Sequence, residues 1–186
     1  MNNSKNNKYL GVDLNLCKFI GKGYEGKVYL LPDEKRVIKV YKSPKGCRGE
    51  AKILLSVDNN PYFPRIYAYN NICMIREYVP GICITKYLKT HELSRKLAIN
   101  IVKLIESFKS EGFKKLDIRC AHIFVQPDES LKVIDPRRVF EKKISYPRSI
   151  LETLKKSGHL QQFMEILKEE YPELHKKWSH KYKKHR

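Results

Sequence analysis

The stretch Gly21-Lys22-Gly23-Tyr24-Glu25-Gly26-Lys27-Val28 spaces three glycines as G-x-G-x-x-G, and the residues after the third glycine limit the folds open to the chain. Such a run holds a pyrophosphate at a helix tip only where its last glycine opens a helix, because the helix N-terminus supplies the N–H groups. Here Gly26 leads into Val28, Tyr29, Leu30 and Leu31, which favour a strand, and Ile20 flanks the run on the other side. Residues 32–36 form a polar turn and residues 37–41 alternate as a further strand, so the glycines are expected beside a strand that carries Lys39. A loop that covers phosphates and a plain glycine-rich turn are both compatible with this placement.

Downstream, Glu50, Ala51, Ile53, Leu54 and Leu55 recur at helical spacing and predict one short helix over 46–57, ended by Asp58-Asn59-Asn60-Pro61. Strands are expected over 65–69 and 72–78, and Val79-Pro80-Gly81 should break the sheet. Helical patterning then takes over at 84–88 and about 92–110, with Leu93, Leu97, Ile101, Leu104, Ile105 and Phe108 on one face and Gly112 at the end. Two short strands, 123–125 and 131–134, interrupt it beside Asp117 and Asp135; amphipathic helices come next over 147 to about 180, broken at Gly158. The expected class is α+β: a disordered start over 1–10, a mostly β half over 11–80, a mostly helical half over 81–175 and a basic tail over 176–186.

With 186 residues, 41% of them hydrophobic, the chain is large enough to bury a core. No apolar run approaches the ~20 residues that span a bilayer, and residues 1–7 lack a signal-peptide core, so a cytoplasmic location without membrane association is expected. The five cysteines are odd in number and lack C-x-x-C spacing, which argues against a disulfide framework or a zinc site. Against 20 Asp and Glu stand 38 Lys and Arg, a net charge of +18 that favours nucleotides, nucleic acid or an acidic protein face as partners. The tail interleaves Trp178 and Tyr182 with basic residues, a pattern that either stacks bases and holds phosphates or lies solvated at a chain end.

Taken in order, the glycine run, Val37-Ile38-Lys39, Glu50 in its helix, the Arg76-Glu77-Tyr78-Val79-Pro80-Gly81 break, Asp117 and Asp135 resemble the protein-kinase superfamily over about 19–139. Only about fifty residues come after Asp135 and no Ala-Pro-Glu motif is present. The chain is therefore similar to the small atypical members: RIO-like, lipopolysaccharide-kinase-like and short Gram-positive kinase-like proteins. The resemblance implies a two-lobed protein-kinase-like fold, an N-terminal antiparallel sheet plus one helix and a reduced helical C-terminal lobe. It implies ATP-dependent transfer of the γ-phosphoryl group to a hydroxyl, most simply Ser or Thr of a protein. By the same resemblance Gly21, Gly23 and Gly26 approach the phosphates, Val28 packs on adenine, and Lys39 neutralises the α- and β-phosphates while paired with Glu50. The segment from Glu77 to Val79 becomes the hinge whose backbone bonds adenine, Asp117 orients the acceptor hydroxyl, and Asp135 holds Mg2+ or Mn2+.

Four departures accompany the match. Lys115-Leu116 stand where His-Arg is usual, Pro136-Arg137 where Phe-Gly is usual, and Arg76 where an apolar gatekeeper is usual. His122 replaces the metal-binding asparagine, and a neutral imidazole is a poorer magnesium ligand than an amide oxygen. His122 is thus expected to hydrogen-bond Asp117 or the phosphates, with direct binding of Mn2+ or another transition metal and a plain loop histidine as the alternatives. These departures leave two rival functions, a nucleotide-binding scaffold without chemistry and an RNA- or ribosome-associated module using the basic surface.

Overall fold

The computed structural model describes residues 8–141 and 143–184, and the remainder of the expected start and tail lies outside them. The fold is mixed α+β, with strands joined in antiparallel ladders and six α-helices among the described residues. Contacts divide the chain between Val79 and Pro80 into two compact units.

The first unit is built on β3 (Lys18–Lys22), β4 (Gly26–Leu30), β5 (Arg36–Tyr41), β6 (Ile66–Tyr69) and β7 (Cys73–Glu77), in sheet order β3-β4-β5-β7-β6. Strand β5 lies in the middle and is covered on both faces: Val37, Ile38, Lys39 and Tyr41 are all buried. Alternation along β5 puts Val37, Lys39 and Tyr41 on one face, opposite Arg76 and Met74 of β7. Ile38 lies on the other face with Cys73, Ile75 and Leu31 in a buried cluster.

That second face corrects the expectation of a disordered start at its last three residues. Lys8–Tyr9 (β1) pairs with Val12–Asp13 (β2), and Tyr9, Leu10, Val12, Leu14 and Cys17 pack on the Ile38 cluster. Helix α1 (Pro44–Ser56) begins at Ser43, whose Oγ accepts the Gly46 N–H at 3.3 Å, with Pro44 in the first turn. It buries Cys47, Glu50, Ala51, Ile53 and Leu54.

Gly26 is glycine because another backbone comes too close for a side chain. A Cβ there would lie 2.0 Å from the Val40 carbonyl oxygen and 2.9 Å from Tyr41 Cα. Gly26→Ala is expected to force β4 and β5 apart and destabilise the unit by about 1–3 kcal/mol, as overpacking does. Urea unfolding of the variant at the wild-type midpoint would mean that the two strands leave room for a methyl group.

The second unit begins with β8 (Ile82–Cys83) and α2 (Ile84–Thr90), followed by α3 (Arg95–Ser110). Strands β9 (Ile123–Val125) and β10 (Leu131–Val133) complete a small sheet in the order β10-β9-β8. Ser94 caps α3 by accepting the Leu97 N–H at 2.9 Å, and its hydroxyl donates to Glu129 in the β9–β10 turn at 2.8 Å. Helices α4 (Arg148–Lys156), α5 (Leu160–Glu170) and α6 (Pro172–Lys184) complete the unit, and α5 packs against α3, α4 and α6. Between α4 and α5, Gly158 sits at φ +83°, a left-handed position that costs glycine little.

The basic tail is corrected more strongly than the start. Residues 176–184 belong to α6, where Trp178 is fully buried and Tyr182 nearly so. Their spacing of four places both rings on one helical face, and that face is core rather than a platform for bases. Among the described residues no helix is long and apolar enough to cross a membrane.

Candidate functional site

In the first unit, three charged side chains lie buried together behind the central strands. Lys39 Nζ donates to Glu50 Oε2 at 2.5 Å, and Arg76 Nε stands 4.0 Å from Glu50 Oε1. Lys39 is 6%, Glu50 4% and Arg76 5% exposed, so two cations share one carboxylate in a region nearly closed to water. The strand pairing explains the meeting: Lys39 and Arg76 occupy the same sheet face, and the buried stripe of α1 delivers Glu50 onto it.

Tyr41 completes the group, its ring centroid 4.7 Å from Lys39 Nζ, within cation–π reach. Burial, followed by the charge and hydrogen bond of Glu50, drives the Tyr41 phenol far above its ordinary range, so it stays neutral. The Lys39–Glu50 pairing was legible in the sequence, whereas the sharing of Glu50 with Arg76 was not.

The glycine run forms the β3–β4 hairpin, with Gly21 opposite Val28 and the Gly23 N–H donating to the Gly26 carbonyl at 2.8 Å. A bulge between Phe19 and Gly21 shifts the register just before the loop. Added Cβ atoms at Gly21 and Gly23 would meet nothing within 4 Å, in contrast to Gly26. Two of the three glycines therefore border open space and the third serves strand packing. Val28 is half-buried and pairs across β4 and β5 with Lys39.

A further carboxylate occupies this corner. A Cβ at Gly46 would fall 1.9 Å from Glu25 Oε2, which places the Glu25 side chain over the first turn of α1. Negative charge is favoured there by the unsatisfied N–H groups of the helix start.

At the expected hinge, backbone groups are partly committed. The Glu77 N–H donates to the Arg65 carbonyl and the Tyr78 N–H to the Lys35 carbonyl, both at 2.9 Å. The Glu77 carbonyl accepts from Arg76 at 3.1 Å, and the Val79 side chain is buried.

In the second unit, Asp117 is held by the start of α4. The Ser149 N–H donates to its Oδ1 at 2.7 Å and the Ser149 hydroxyl to its Oδ2 at 3.0 Å. Burial nevertheless raises the Asp117 carboxyl above its ordinary value, outweighing these bonds and the charges of Lys115 and Arg148. The partner lies 32 residues away, and no local pattern announces it.

Asp135 stands just after β10 at φ +55°, a left-handed conformation in which a residue with a Cβ stores strain. Arg137 grips its carboxylate with two bonds of 3.1 Å, from Nε to Oδ1 and from Nη2 to Oδ2. His122 ends the short turn Cys120–His122, and its carbonyl accepts the Ile134 N–H at 2.9 Å. Burial lowers the His122 imidazole below its ordinary value, while the charge and backbone of Asp135 act in the opposite direction. His122 thus neighbours Asp135, whereas the bonds that hold the Asp117 carboxylate come from Ser149.

Among the described residues no group of three or more His, Cys, Asp or Glu side chains could enclose a metal ion. The donor chemistry at Asp135 is that of one hard carboxylate, which suits magnesium shared with phosphate oxygens rather than a cage made by protein alone. Neither protein-family models nor curated proteins give a match to this chain.

Proposed function

We propose that this protein is an ATP-dependent phosphotransferase of protein-kinase-like fold that transfers the γ-phosphoryl group to a hydroxyl, most simply Ser or Thr of a protein. The observation that carries the reading is the buried cluster of Lys39, Glu50 and Arg76. Burying three charged side chains together is costly, which gives such a cluster a reason only where its charge is used. A polyphosphate at Lys39 would use it, and the open flank of Gly21 and Gly23 would let backbone N–H groups approach phosphate oxygens.

In this reading Lys39 binds the α- and β-phosphates, Glu50 holds its ammonium in place, and Val28 packs on the base. Asp117 accepts a hydrogen bond from the acceptor hydroxyl and receives its proton as that oxygen bonds to the γ-phosphorus. The bond from the γ-phosphorus to the bridging oxygen breaks, and ADP leaves with the electron pair. A carboxyl raised by burial is a better proton acceptor than an exposed one. Mg2+ at Asp135 would neutralise the β- and γ-phosphate oxygens. Positioning and charge neutralisation provide the acceleration.

A second reading, a nucleotide-binding scaffold without chemistry, is favoured by the Arg137 fork that occupies both oxygens of Asp135. Thermal shift with ATP and Mg2+ or Mn2+, followed by a turnover assay, separates the two. Wild type is expected to show both a shift and turnover, with Lys39→Met lowering turnover by about two orders of magnitude. A shift without turnover establishes the scaffold, and neither effect removes both readings.

A further inference from the structure

The second unit contains a cavity of about 580 Å³ at the start of α4, beside the Asp117 carboxylate. Lys143, Arg148, His180, Lys181 and Lys184 line it with that single acid among them. This volume is ordinary for a ligand site; Ile144 and Tyr146 give the lining an apolar part, and its charged part is basic but for Asp117. Four Lys and Arg side chains around one half-buried carboxylate repel one another unless an anion comes between them. Lys143, Arg148, His180 and Lys184 are exposed, and Lys181 is partly turned inward, donating to the Ser145 hydroxyl.

We propose that this cavity is the acceptor site, and that it takes a serine or threonine lying in an acidic protein segment. The inference rests on the phosphotransferase reading for the role of Asp117, but the charge pattern of the cavity stands apart from it. The cations are distributed rather than converging from one element. Lys143 and Arg148 flank the entry to α4, while His180 and Lys184 lie along α6 at a spacing of one helical turn. A turn of helix advances about 5.4 Å, close to the distance of about 7 Å between alternate side chains of an extended strand. Successive carboxylates of an extended segment can therefore each meet a cation, whereas one isolated phosphate would leave most of them unmatched.

Nucleic acid also presents repeated negative charge. The two aromatic residues of α6 that could have stacked its bases, Trp178 and Tyr182, are buried in the core instead. A concave, carboxylate-containing cavity likewise suits a hydroxyl side chain better than a continuous phosphate backbone.

The test measures binding before chemistry. A fluorescein-labelled peptide with one serine flanked by Asp and Glu is titrated by anisotropy against the full chain without ATP, beside a neutral serine peptide and oligo(U). Tight binding of the acidic peptide alone is expected, weakening with salt and by about tenfold or more in Lys143→Glu/Lys184→Glu, whose melting temperature serves as the check on folding. The ATP-dependent phosphorylation of the acidic peptide should fall in parallel, with the thermal shift by ATP unchanged. Equal binding of neutral and acidic peptides, or preference for oligo(U), overturns the acceptor proposal while leaving ATP turnover to judge the enzyme. Selective binding of the acidic peptide by a protein that ATP does not stabilise overturns the phosphotransferase reading, and with it the role of acceptor site. If Lys143→Glu/Lys184→Glu does not fold, Lys184→Gln alone is expected to weaken acidic-peptide binding measurably, and an unchanged affinity overturns the proposal.

Discussion

Glu50→Ala is expected to cost the fold about 3–5 kcal/mol, the range measured when one partner of a buried ion pair is removed. The size comes from the two cations it strands. Lys39 and Arg76 are 6% and 5% exposed, and both approach this carboxylate, at 2.5 and 4.0 Å. Without it, two buried cations lose the carboxylate they both approach, and the Tyr41 ring is a weak cation–π substitute for Lys39. Arg76 Nε is already buried without a hydrogen-bond partner among the described residues, so it has little to retreat to. Glu50→Gln should be milder, since it keeps an acceptor while losing the charge. Adding Lys39→Met to Glu50→Ala should recover part of the loss, because removing both members of a pair is far less costly than removing one. Chemical unfolding of the four proteins tests the scheme; a loss under about 1 kcal/mol for Glu50→Ala would mean that the cluster is hydrated.

Trp178→Ala is the second large effect, expected at about 3–5 kcal/mol, as for other fully buried large aromatic residues. Trp178 is 0% exposed on α6, the helix against α5. Its indole N–H is buried without a hydrogen-bond partner among the described residues. Trp178→Phe should therefore be much the gentler change, because the smaller cavity is partly offset by removing an unsatisfied donor. This is the chain's one tryptophan, so its native fluorescence should be shifted to the blue, with that shift lost on unfolding. Emission typical of a water-exposed indole in the native protein would contradict the packing of α6.

The central strands were readable because β-formers alternate over five or six residues, and α1 because its apolar stripe has the helical period. The hairpin at Lys8–Asp13 was not, since two strands of two residues each are too short to show a period. At α6 the basic composition hid the stripe. Lys and His dominate its exposed surface, and only Trp178 and Tyr182, four apart, are buried.

The candidate site shows the same division between local and distant causes. The pairing of Lys39 with Glu50 was implied by the resemblance to the protein-kinase superfamily that the order of the motifs carries. The hold of Ser149 on Asp117 could not, because it depends on where a helix 32 residues later begins. Arg137 is two residues from Asp135 in the sequence, yet its bidentate grip requires the left-handed turn at Asp135.

The burial of Trp178 and Tyr182 also sets an order in time. The core of the first unit draws on residues no later than Val79, so it can close once that much of the chain has been synthesised. The core of the second unit draws on residues from Ile84 to Tyr182, and its last helix is made about a hundred residues after its first apolar side chain. During synthesis the apolar faces of α3 and α5 therefore stay uncovered for longer than the sheet of the first unit, whose residues are all made by Val79.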